Sequence, residues 1–99
     1  MNVTVEVLAL GKSEKSNVLA SATVQITVNG DSQITIVDFR VLRNKQGNLW
    51  VAAPSRAVAL PASRSFKYQP MVVLSRSLQR ETEDKVLAAF MQWEGDQRR

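Results

Sequence analysis

Apolar residues occupy every second position in two segments of the first half of the chain, residues 3–8 and residues 18–28. A period of two is typical of a β-strand with one buried face. The second segment is followed at once by Asn29-Gly30, a pair that readily takes the positive φ angles of a tight turn. We therefore expect a hairpin that leads into a third strand over residues 33–43.

The apolar positions of this third strand change face partway along it. Ile34 and Ile36 share one face, whereas Val37, Phe39 and Val41 share the other. A β-bulge at this point would re-aim the chain. Alternatively, both faces are covered over part of the strand, and because one helix covers only one face of a small sheet, the second cover would be a partner chain. On the second reading we expect a homodimer.

Two shorter strands follow in the predicted sheet. Residues 49–53 come after a polar loop at residues 44–48, and residues 66–71 are predicted to be an edge strand because proline at position 70 is tolerated there. Residues 54–65 show no clear period. They are predicted to form an irregular loop, a kind of segment that often carries function.

Apolar residues at a spacing of 3.6 predict a C-terminal helix. Its apolar stripe consists of Leu78, Thr82, Val86, Leu87, Phe90 and Trp93. Ser75 or Ser77 is suited to cap its start and Gly95 its end. The predicted fold is a single α+β domain over residues 1–99, with a small bent antiparallel sheet of about five strands joined by hairpins and a C-terminal helix.

The composition is typical of one globular domain and excludes several kinds of catalytic and metal site. The chain has 99 residues, 44% of them hydrophobic and 22% charged, which is typical neither of disorder nor of a membrane protein. No apolar run reaches the roughly 20 residues that span a bilayer, and no targeting segment is apparent, so we expect a cytoplasmic protein without a membrane partner. Cysteine and histidine are absent, which excludes disulfides and the usual zinc and nucleophile-base sites. We expect no enzymatic activity, metal, cofactor or small-molecule substrate.

Positive charge is concentrated in the middle of the chain. The 13 Lys and Arg residues exceed the 9 Asp and Glu residues to give a net charge of +4, and no acidic residue lies between Phe39 and Arg80. Such asymmetry attracts polyanions, although solvated surface charge explains the count equally well. The candidate nucleic-acid-binding residues are Arg40, Arg43, Lys45, Arg56, Arg64 and Lys67. The last three carry most weight, because they lie in or just after the predicted loop.

Three aromatic residues lie within this basic block: Trp50, Phe66 and Tyr68. Aromatic rings beside basic side chains bind single-stranded nucleic acid by stacking and phosphate contacts. The other reading is core packing beneath the helix, which we favour for Phe66 and Tyr68 and leave open for Trp50. Asp38 lies in an apolar strand, and we expect it to be half-buried and paired with an arginine rather than catalytic.

Two segments also carry a family pattern. They read Asp38-Phe39-Arg40-Val41-Leu42 and Gly47-Asn48-Leu49-Trp50-Val51-Ala52-Ala53-Pro54-Ser55-Arg56. Together with the C-terminal helix they resemble the SpoVG family of bacterial septation and regulatory proteins. The resemblance implies a small dimeric α+β domain that binds DNA or RNA as a regulator, without enzymatic activity, and that is linked to septation or sporulation. It places the family's basic residue after Pro-Ser at Arg56 and a later basic loop residue, loosely, at Arg64.

The leading hypothesis is therefore nucleic-acid binding by a homodimer whose basic loops contact phosphates. The alternative is a protein-interaction or assembly module, in which the apolar residues 57–60 and an exposed strand edge bind a protein partner.

Overall fold

The computed structural model describes residues 2–13, 17–60 and 65–97. It consists of a four-stranded antiparallel sheet, a two-stranded antiparallel hairpin and a C-terminal helix. The elements are β1 (Val3–Lys12), β2 (Ala20–Val28), β3 (Ser32–Arg43), β4 (Leu49–Ala52), β5 (Ser55–Leu60), β6 (Ser65–Pro70) and α1 (Arg76–Gln97). The four-stranded sheet has the order β1-β2-β3-β4, and β5 pairs with β6. The predicted small α+β fold is confirmed.

Helix α1 covers one face of the four-stranded sheet. Every second residue of β2 from Ala20 to Ile26 is buried on this face. The helix presents its predicted apolar stripe, with Thr82 and Phe90 buried. The Thr82 hydroxyl donates a hydrogen bond of 2.8 Å to the Leu78 carbonyl, so this buried polar group is satisfied within the helix. Burial of one sheet face accounts for the alternation seen in the sequence.

A β-bulge in β3 explains why its apolar positions change face. Ala22 of β2 pairs with Phe39 and Val24 pairs with Ile36, so two residues of β3 stand opposite one residue of β2. One of the two, Asp38, has a φ of 72°, a left-handed conformation that aspartate tolerates better than most residues. Of the two readings of β3, the bulge is confirmed. Asp38 is exposed, so its predicted half-buried position is wrong.

The bulge removes the change of face in β3 as a reason to expect a homodimer. Because it returns Phe39 and Val41 to the helix side within one chain, the change of face no longer requires a second chain. A second bulge, which the sequence did not predict, leaves Leu8 of β1 unpaired between Val7 and Ala9. The two bulges flank the same stretch of β2, and bulges bend the strands that carry them. They give the physical reason for a bent sheet.

The main error of the sequence prediction concerns residues 54–65. Residues 55–60 form strand β5 rather than an irregular loop, and β5 pairs with β6 over its full length, from Ser55 opposite Pro70 to Leu60 opposite Ser65. Strand β6 is therefore half of a separate hairpin, not the edge strand of the main sheet. The chain forms six strands in two sheets within the described residues, instead of about five strands in one.

The turns and helix ends are mostly as predicted. Asn29 and Gly30 have φ angles of 54° and 77°, which confirms the tight turn between β2 and β3. The Ser75 hydroxyl accepts a hydrogen bond of 3.4 Å from the Leu78 amide, so Ser75 caps α1. The helix continues through Gly95 to Gln97, so the prediction that Gly95 ends it is wrong. No helix in the described ranges is long and apolar enough to cross a bilayer.

Candidate nucleic-acid interface

An open groove of about 740 Å³ lies between the four-stranded sheet and the β5–β6 hairpin. One wall is the side of strands β3 and β4 that faces away from α1. Trp50 lies on this side, because it alternates with Leu49 and Val51, which pack in the core. Its cross-strand partner is Leu42. Strands β5 and β6 form the other wall. We call this feature the aromatic groove, and the side chains that give it its chemistry are Arg40, Trp50, Arg56 and Tyr68.

Arg40 fastens the hairpin to the sheet. Its Nη2 donates a hydrogen bond of 2.7 Å to the Ser55 hydroxyl and one of 3.3 Å to the Ala53 carbonyl. Its Nε is buried and has no hydrogen-bond partner among the described residues. Two bonds from one nitrogen, to the first residue of β5 and to the segment just before it, hold the guanidinium in place. Arg40 therefore adds a fixed positive charge to the wall of the aromatic groove.

Both described aromatic rings of the groove are exposed. Trp50 retains 47% of its accessible surface and Tyr68 retains 72%. The open question about Trp50 is thus answered in favour of exposure, and the prediction that Tyr68 packs in the core is wrong. The reason is the hairpin: Tyr68 pairs with Ala57 of β5 and not with a strand beneath the helix. The side chain of Phe66 lies outside the part of the structure that is described.

Two of the six predicted basic residues meet at the aromatic groove, namely Arg40 and Arg56. Arg56 is exposed and also borders a second shallow depression beside Pro70 and Met71, so it stands on the rim between the two. Lys67 is exposed as well. The register places it on the same face of the hairpin as Arg56, since Val58 is its partner, but it does not line the groove.

The other three predicted residues lie elsewhere or outside the described residues. Arg43 alternates with Leu42 and so falls on the helix side of β3, where its Nη1 donates a hydrogen bond of 3.0 Å to the Gly47 carbonyl. Lys45 is exposed in the turn between β3 and β4. Arg64 lies outside the described residues. Arg43 and Lys45 are therefore separate from the aromatic groove, and the basic block does not form one patch.

Charge distinguishes the aromatic groove from the other large depression. That depression, of about 730 Å³, lies along the start of α1, and its lining mixes Arg76, Arg80 and Lys85 with Glu81 and Asp84. No acidic residue is found among the described residues that line the aromatic groove. Cations without neighbouring carboxylates present the stronger field to a polyanion. The aromatic groove is therefore the better anion site.

No family model, curated protein or solved structure matches this chain. The resemblance to the SpoVG family therefore remains a prediction based on the motif residues.

Proposed function

We propose that the chain is a nucleic-acid-binding regulatory protein of the SpoVG type, without enzymatic activity, and that it binds DNA or RNA through the aromatic groove. One observation carries the proposal: Arg40 and Arg56 line the same open groove as Trp50 and Tyr68, with no acidic residue among its described lining residues. Cations bind phosphates and exposed aromatic rings bind bases. A cytoplasmic location and a role in septation or sporulation form part of the same proposal.

We also propose that the chain forms a homodimer. The support is exposed apolar surface and no longer the change of face in β3. Leu8 of β1 and Ile34 and Val37 of β3 expose between 48% and 63% of their surface. Exposed apolar side chains suit burial against a second copy of the chain. The mass of the purified protein measured by light scattering at micromolar concentration tests this point, and a monomer mass would contradict it.

The salt dependence of binding tests the nucleic-acid proposal. If a dimer neutralises some five to eight phosphates of duplex DNA, log K falls against log salt with a slope of roughly −4 to −7. We expect Arg56→Ala/Arg64→Ala to weaken binding and to make the slope shallower. The matched control is Arg76→Ala/Arg80→Ala, which removes the same charge from the mixed-charge depression on α1. Unchanged affinity in the first variant would remove this site.

A second candidate function, docking of a protein partner, has one observation in its favour. Met71 and Val73 expose 64% and 84% of their surface in the segment between β6 and α1. Val73 lines a small, largely apolar pocket of about 200 Å³ whose lining includes Phe39 and Val51. A partner that stays bound after nuclease treatment and high salt, and that is lost with Val73→Asp, would favour this function. Loss of the partner under nuclease and salt favours nucleic acid.

A further inference from the structure

We infer that the aromatic groove takes unpaired bases, so that the ligand of this chain is single-stranded nucleic acid rather than a duplex. This inference rests on the proposed function and deepens it, because it names the form of nucleic acid that the groove selects.

The exposed rings carry the inference. In a duplex the faces of the bases stack on one another, and a protein reaches only the base edges and the backbone. An aromatic side chain stacks on a base only when that base is free of its neighbours. Trp50 and Tyr68 present 47% and 72% of their surface to solvent in one groove. Such ring surface matches base faces, which duplex nucleic acid does not offer.

The core of the domain does not use these rings. The aromatic contact beneath the sheet is made by Phe90 and Trp93 of α1, whose ring centroids are 5.9 Å apart. Trp50 lies on the opposite side of the sheet, beside Leu42. The packing of the described residues therefore leaves the Trp50 and Tyr68 rings available to a ligand.

Arg40 and Arg56 supply positive charge at the groove for the backbone of a strand whose bases stack. Arg56 is exposed on the rim of the groove, where a guanidinium reaches a phosphate. Arg40 is held by Ser55 and so keeps its charge fixed in the wall. Cations in the same groove as exposed aromatic rings are used by proteins that bind single strands with little sequence preference.

Tryptophan fluorescence tests the inference directly, because the chain has two tryptophans. Trp93→Phe leaves Trp50 as the single tryptophan and keeps an aromatic ring beside Phe90. The probes are an oligothymidine of about 20 nucleotides, a duplex of the same length, and an abasic strand with the same number of phosphates. An oligouridine of equal length separates DNA from RNA.

We expect the oligothymidine or the oligouridine to quench the fluorescence of Trp50 on binding. The duplex and the abasic strand should bind at least about tenfold more weakly and leave this fluorescence unchanged. Trp50→Leu and Tyr68→Leu should each weaken binding of the single strand by about fivefold to a hundredfold. The control is Met91→Ala, which truncates an exposed apolar side chain of α1 outside the groove and should bind as the parent does.

The outcomes separate this inference from the proposed function. If the duplex or the abasic strand binds as tightly as the single strand, or if single strands bind without quenching Trp50, the inference is overturned while nucleic-acid binding stands. If none of the four probes binds, the proposed function itself fails. Tyr68→Leu provides a second test independent of Trp50, because Tyr68 is largely exposed and its truncation should leave folding intact.

Discussion

Replacing Arg40 with methionine tests how the β5–β6 hairpin is held against the four-stranded sheet. Arg40→Met keeps most of the aliphatic stem but removes the hydrogen bonds to the Ser55 hydroxyl at 2.7 Å and to the Ala53 carbonyl at 3.3 Å. A hydrogen bond from a charged group contributes about 1.5–3 kcal/mol, and the longer of these two contributes less. Removal of the buried, unpaired Nε offsets part of the loss.

We therefore expect Arg40→Met to lower the free energy of unfolding by about 2 kcal/mol. For a domain of this size that corresponds to a fall in Tm of about 8–16 °C. Calorimetry measures the fall, and amide hydrogen exchange shows whether the hairpin is involved: the amides of β5 and β6 should lose protection against exchange. The control is Arg43→Met, whose bond to Gly47 is solvent-exposed and should cost less than about 1 kcal/mol. Equal stability of the two variants, or unchanged protection of the hairpin in Arg40→Met, would refute the role assigned to Arg40.

Single substitutions test the bulge, the core and the groove separately. Asp38→Val should lower the free energy of unfolding, measured in urea, by about 1–2 kcal/mol, because a β-branched residue resists a positive φ. Asp38→Gly should not lower it, and equal effects of the two substitutions would contradict the left-handed bulge. Phe90→Ala should cost about 3–5 kcal/mol in the same assay, and a cost under about 1 kcal/mol would show that the helix does not pack as described. Arg56→Ala should make the salt slope on single-stranded DNA shallower by about 0.7 for each groove that loses the contact, and more so than Lys67→Ala, in anisotropy titrations. A larger effect of Lys67→Ala would move the site off the groove.

The four-stranded sheet was largely predictable because one of its faces is buried. The alternation along β2 reports that burial directly, and Asn29-Gly30 supplies the turn that its φ angles confirm. The sequence alone did not distinguish a bulge from a covered second face in β3, because a period of two shows which residues are apolar and not what covers them. The register of pairing between β2 and β3 shows the bulge.

The hairpin was missed for a different physical reason. Residues 57–60 of β5 are all apolar, so they show no alternation, and the strand is specified by its pairing with β6 rather than by a local pattern. The exposure of Tyr68 depends on that pairing and could not be read before it. The position of Arg43, by contrast, was predictable from the sequence. Arg43 lies two residues after the buried Val41 and so on the same face of β3, whereas Arg40 lies on the other face.

An amide NMR titration with a single-stranded oligonucleotide tests whether the aromatic groove is the binding surface. We expect the indole N–H of Trp50 and the amides around Arg56 and Tyr68 to shift together with one affinity. The amides at the start of α1, around Arg76 and Arg80, should stay in place. Shifts confined to α1 would show that the oligonucleotide binds outside the groove, and no shifts at saturating oligonucleotide would show that the groove binds none.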